Sequence, residues 1–156
     1  VRTNTENQGD AAATTLRPAR SDDARSIKEL LANLGYPSDV AQIERRIVDC
    51  TASPDTIVFV ADTLNRIVGL LSFHCIPLFH ADGSLGRITS LVVAPDYRRR
   101  GIGRLLVAAG EEFARRHGCA RIEVTSGDHR PDAHNFYEHL GYRVDCRRFI
   151  KHVPTP

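Results

Sequence analysis

The sequence lacks several features that would fix its class at once. No apolar run approaches the roughly 18 residues that a membrane-spanning helix needs. The N-terminus has no basic-then-apolar signal pattern. Cys50, Cys75, Cys119 and Cys146 stand far apart, with no C-x-x-C or C-x-x-H spacing. That removes the usual zinc and dithiol motifs, so no metal is expected, and core thiols in a reducing compartment are the simpler reading. Charge of one sign is not in excess: 21 Lys+Arg face 19 Asp+Glu, a net charge of +2. Such a balance does not argue for nucleic acid. Lysine is scarce, since 19 of the basic residues are Arg, the better fork for carboxylate and phosphate. What remains is 156 residues with 42% hydrophobic and 26% charged side chains, enough for one domain with a proper core. The expectation is a cytoplasmic protein without a membrane partner.

Residues 1–14 are small and polar and read as a disordered leader, with a domain over 15–153. Thr15 to Ala19 reads as a short strand. Ser21 is a plausible N-cap, with Asp22 and Asp23 in the first turn of a helix that carries Ile27, Leu30, Leu31 and Leu34 inward and stops at Gly35. Ser38 and Asp39 open a second helix. Thr56–Ala61 and Ile67–Phe73 form a hairpin, and Arg87–Val93 is a further strand. Gly101–His117 is an amphipathic helix, Arg121–Thr125 a strand, Asp132–Leu140 a short helix, and Tyr142–Ile150 a last strand. An antiparallel front half therefore runs into a βαβ unit. The fold class is α/β (α+β), a mixed central sheet flanked by about four helices.

The most informative stretch is Leu91 to Leu106, LVVAPDYRRRGIGRLL. An apolar strand ends at Val93, a Pro-containing turn follows, and Arg98-Arg99-Arg100-Gly101-Ile102-Gly103-Arg104 leads into an apolar-faced helix. A helix start presents up to four unpaired N–H groups and a partial positive charge. Glycine there admits a phosphate close to the main chain. The order strand, glycine turn, helix reads as a diphosphate cradle built mostly from backbone. Neither better-known phosphate loop fits: no Lys follows the glycines, and position 106 is Leu where the dinucleotide fingerprint needs Gly.

This R-x-x-G-x-G segment resembles the acyl-CoA signature of the GNAT N-acetyltransferases. Ala133-His134-Asn135-Phe136-Tyr137-Glu138-His139-Leu140-Gly141-Tyr142 resembles the second motif of the same family. The resemblance implies acetyl-CoA as cosubstrate, a GNAT-like fold and transfer to a primary amine. It places the pantetheine arm along the backbone of Leu91, Val92 and Val93, and the pyrophosphate at the N–H groups from Arg98 to Arg104, with Asn135 near the cofactor. Tyr137 matches the tyrosine proposed to protonate the departing thiolate.

The general base is not given by either motif. An alkyl ammonium titrates near ~10.4, so freeing it at pH 7 costs roughly 4.6 kcal/mol. Many members place a Glu on the strand before the cradle; here Arg87 stands there. His74, His80, Glu123, Asp128 and His129 are other candidates, and a water relay to backbone, Ser90 or His74 is the favoured reading. Many members carry Asn three residues before the motif alanine, where this chain has Arg130. The Ala133-His134 pair and the closing Arg148-Phe149-Ile150-Lys151 are similar to aminoalkylphosphonate N-acetyltransferases. Under that likeness Arg87, Arg130 and His80 would bind the anionic group of an acceptor.

Three alternatives stand beside a small-molecule N-acetyltransferase. One is a protein N-acetyltransferase, one a non-catalytic acyl-CoA-binding regulatory domain. The third is a nucleic-acid binder using the Arg98–Arg104 cluster, which lacks interleaved aromatics. A last strand with an open edge would allow a homodimer.

Overall fold

The computed structural model describes residues 13–145 and 147–154. The expected leader falls almost wholly outside them. The chain divides into two compact units, with the boundary between Thr125 and Ser126.

The first unit is a five-stranded sheet carrying helices on both faces. Its strands are β1 (Thr14–Pro18), β2 (Thr56–Thr63), β3 (Arg66–Pro77), β4 (Ser84–Val93) and β5 (Cys119–Val124), in that spatial order. The first three pairings are antiparallel and β4–β5 is parallel, so the sheet is mixed as expected. The helices are α1 (Ala24–Leu34), α2 (Val40–Thr51) and α3 (Ile102–Arg116). A parallel neighbour cannot follow a tight turn, and α3 supplies the crossover.

Strand alternation sorts the core into two layers. Val58, Val60, Leu70 and Val92 pack with Ile27 and Leu30 of α1 and Ile43 and Ile47 of α2. On the opposite face Leu71 and Phe73 meet α3 at Gly110. Phe73 also lies over Gly86, where a Cβ would fall 2.6 Å from its ring. Only glycine lets that ring sit flat on β4.

The helix starts follow their polar residues. Asp39 caps α2 in a reciprocal box: its Oδ1 accepts from Gln42 N–H at 2.8 Å, and Gln42 Oε1 accepts from Asp39 N–H at 3.1 Å. Ser21 does not cap α1. A short 3-10 turn over Ser21–Asp23 precedes that helix, no side chain caps α1 itself, and Asp23 closes the turn instead. Its carboxylate accepts the Arg20 N–H at 2.8 Å and both Arg17 guanidinium nitrogens at 2.7 and 2.8 Å. These bonds, the one from Arg17 first, hold the carboxyl below its ordinary 3.8.

The second unit holds one helix, α4 (Pro131–His139), with Pro131 in its first turn. The expected strand over Tyr142–Ile150 is not there. Its described residues have no ladder partner, and Val144, Phe149 and Ile150 are exposed. Alternating apolar residues make a strand only when a neighbour takes their N–H and C=O groups. Cys146 lies outside the described residues.

Candidate active site

The turn after β4 has the geometry that a phosphate cradle needs. Arg99 (φ +60°) and Gly101 (φ +82°) both adopt left-handed backbone, and α3 begins directly after them. No side chain caps α3, so its first N–H groups have no such partner. The β4–β5 ladder covers only Ser84 to Ile88 of β4. The stretch 89–93, containing Leu91, Val92 and Val93, pairs with β3 on one side and, among the described residues, has no ladder partner on the other. An uncapped, glycine-led helix start beside an open strand edge fits a diphosphate joined to an amide-bearing arm, which is the chemistry of a CoA ester.

The four cradle arginines do not act alike. Arg98 Nε donates to the Val93 carbonyl at 3.2 Å and ties the turn to the strand end. The Arg100 guanidinium lies 5.1 Å from the centre of the Tyr97 ring, and Arg66 lies 5.5 Å from it. The Arg99 and Arg104 side chains are exposed at the turn.

A cavity of about 690 Å³ lies between α1, α2 and the sheet of this unit. Its apolar wall includes Ile27, Leu31, Ile43, Ile47, Val58 and Leu70, and its polar groups include Ser72, His74, Thr89 and Ser90. Thr89 and Ser90 are consecutive, and consecutive strand residues normally point to opposite faces. A β-bulge resolves this. Ser72 pairs with Ser90 and Phe73 with Ile88, which leaves Thr89 as the extra residue.

The bulge completes a hydrogen-bonded chain. His74 Nδ1 is 3.2 Å from Thr56 Oγ1, His74 Nε2 is 2.9 Å from Thr89 Oγ1, and Thr89 Oγ1 is 2.7 Å from Ser72 Oγ. Burial lowers the pKa of His74 below its ordinary 6.5, so the ring is neutral at pH 7. A neutral imidazole with a hydroxyl at each nitrogen can take a proton at one and release one from the other. Cys50 also lines the cavity, but burial first and Asp49 second push its thiol up, which makes it a poor nucleophile.

The second unit carries the rest of the motif. Tyr137 stacks edge-on with Phe136 and Tyr142, at centroid distances of 5.3 and 5.7 Å. Burial pushes its phenol up to about 12, against a smaller opposing pull from Arg130. Asn135 is exposed on α4, and its carbonyl accepts from His139 Nδ1 at 2.6 Å.

Other sequence candidates lie elsewhere. Arg87 donates to Glu123 Oε2 at 3.1 Å and to Thr125 Oγ1 at 2.7 Å, bridging β4 and β5. Glu123 also accepts from Arg121 at 2.9 Å. His80 is exposed in the β3–β4 connection, and neither it nor Arg87 lines the cavity. Asp128 and His129 are exposed before α4. Sequence reasoning missed Thr56, Ser72, Thr89 and Arg46, the last lining the cavity from α2. One signal was present: Thr89-Ser90, two adjacent polar residues between Ile88 and the apolar run Leu91–Val93, breaks the period of two.

Fold and site together define an acyltransferase that uses CoA. The chain belongs to the Acetyltransferase (GNAT) family, whose profile matches residues 24–142. It is accordingly an acetyl-CoA-dependent N-acetyltransferase. It is 33% identical over 141 residues to the aminoalkylphosphonate N-acetyltransferase of Salmonella typhimurium, covering 87% of this chain and 89% of that one. It is also 33% identical over 137 residues to the glucosamine 6-phosphate N-acetyltransferase of Trypanosoma brucei brucei, covering 85% and 91%. Among solved structures, a transcriptional regulator from Bacillus halodurans C-125 superposes with a TM-score of 0.82 at 25% identity, covering 90% of this chain and 99% of that one.

Proposed function

We propose that this enzyme acetylates a small primary amine held in the α1–α2 cavity, by direct attack and with neutral His74 as the proton acceptor. The observation that carries this reading is the bond between Thr89 and His74 inside that cavity. When bound, acetyl-CoA would supply the thioester carbon to which the nitrogen bonds as the C–S bond breaks, and the sulfur would leave with the second proton of the nitrogen. The backbone N–H groups from Arg99 to Arg104 and the open edge over Leu91–Val93 would hold it.

The relay accounts for the proton. A proton lost by the acceptor nitrogen passes through the Ser72 and Thr89 hydroxyls to His74 Nε2, while Thr56 holds Nδ1. Ser90 lines the same cavity and can fix a water in this chain. Tyr137 has a different task. A phenol near 12 lies about 3.5 units above a free thiol at ~8.5, so handing its proton to a thiolate is uphill by about 5 kcal/mol. Tyr137 therefore keeps its proton and stabilises negative charge as an O–H donor. Arg130, beside it, adds positive potential.

Direct attack is supported by the raised thiol of Cys50, which disfavours an acyl-enzyme. A cytoplasmic setting remains our reading, from cysteines that show no disulfide-framework or metal spacing in the sequence. Exposed Phe149, Ile150 and Val153 support pairing with a second copy of the chain, which sedimentation velocity would report as a dimer. The engagement of Arg98 and Arg100 within the turn speaks against a role in holding nucleic acid.

The reading is tested by thiol release from acetyl-CoA against a panel of amines. Release with at least one small amine is expected. Binding of acetyl-CoA without release by any amine would favour the regulatory alternative.

A further inference from the structure

The arginines of the first unit divide by what holds them. Arg17, Arg87, Arg115, Arg116 and Arg121 each reach a carboxylate. Arg66 and Arg100 lie over Tyr97, and Arg98 is spent on a carbonyl. Arg46 is different. Its Nη1 donates to Ser38 Oγ at 2.8 Å, and among the described residues no carboxylate pairs with it. Ser38 Oγ in turn donates to the Tyr36 carbonyl at 3.3 Å. A neutral hydroxyl, itself anchored, thus positions an exposed guanidinium that no carboxylate among the described residues neutralises.

Arg46 and Ser38 both line the acceptor cavity, and no Asp or Glu does. They come from α2 and the α1–α2 connection, whereas the relay comes from β2, β3 and β4. The cavity therefore offers a cation from its helical wall and a neutral proton acceptor from its sheet wall. A polyamine would meet a like charge and no carboxylate to hold its second ammonium. An amine bearing a carboxylate, phosphate or phosphonate would find a forked donor for the anion. The volume of about 690 Å³ suits a small molecule.

We infer that Arg46 is the specificity-determining residue of the acceptor site and selects a short aminoalkyl anion. This rests on the acetyltransferase reading above. The acceptor's anion sits on the Arg46 guanidinium and its amine faces His74. The acceptor enters as an ammonium and loses two protons, one to the relay before attack and one to the departing sulfur; the nitrogen gains the acetyl group as the C–S bond breaks, and the anionic group is unchanged.

The test is thiol release from acetyl-CoA with 2-aminoethylphosphonate, 3-aminopropanoate, 2-methoxyethylamine and 1,3-diaminopropane. The wild-type enzyme is expected to use the better anionic amine with kcat/KM at least tenfold above the neutral one, and the diamine least well. In Arg46→Gln the anionic-to-neutral ratio should fall towards one, mainly through KM. Arg46→Lys should recover part of it. A purely structural role would lower all acceptors together and leave the ratio in place, which overturns the inference. Equal use of anionic and neutral amines by the wild type overturns it as well, while leaving the acetyltransferase reading intact. Failure of every amine to release thiol sinks both.

Discussion

Thr89 and His74 stand 15 residues apart in the chain, yet Thr89 Oγ1 lies 2.9 Å from His74 Nε2 because a bulge in β4 turns Thr89 onto the cavity side. Thr89→Val keeps the shape and removes the hydroxyl. Turnover should fall at least tenfold, since the relay then has a gap, with the KM for acetyl-CoA little changed. Steady-state kinetics on the purified variant checks this, and an unaltered kcat would take Thr89 out of the relay.

Tyr137→Phe removes an O–H whose proton is held by a pKa of about 12. Loss of one such donor costs roughly 10²-fold in turnover. Acetyl-CoA affinity, read by calorimetry, should stay near that of the wild type. The activity of the wild type should show no alkaline limb from this phenol below about pH 11.

Gly101→Ala tests the cradle. At φ +82° an L side chain costs about 1–2 kcal/mol. If the turn relaxes to avoid that cost, its N–H groups lose their aim. The Kd for CoA should rise roughly tenfold, which equals about 1.4 kcal/mol. Unchanged affinity would show that phosphate binding does not depend on this turn.

Asp23 gives a stability prediction. Its folded pKa is lowered, so the unfolded chain binds the proton more readily between the two values. The stabilisation is fully present above the ordinary value near 3.8 and is lost as pH falls through the folded value. Asp23→Ala should cost about 1.5–3 kcal/mol at pH 7. The gap between variant and wild type in urea titrations should narrow in acid.

Local pattern carried much of this into view from sequence. The five strands of the sheet, the glycine-led turn and α3 follow from periodicity and from Gly101 and Gly103. Pairings across strands did not show. Thr56, Ser72 and Thr89 meet His74 only because of register, and a one-residue bulge sets that register. Arg87 resembled an anion receptor until β5, 36 residues later, brought Glu123 beside it. The alternation of Tyr142–Ile150 looked like a strand because sequence shows side-chain period but not the partner that a ladder requires. Arg46 carried no local signal, since its neighbour Arg45 looks the same and only the packing of α2 tells them apart.

The proposed transfer of the amine's proton to neutral His74 is read out by the pH dependence of kcat/KM for thiol release, measured on the wild type and on His74→Gln. Because burial lowers the pKa of His74, the wild type should lose activity on an acid limb below pH 6.5. The variant should lack that limb and be slower by roughly 10²-fold or more at pH 7.5. Superimposable profiles for the two proteins would contradict the account.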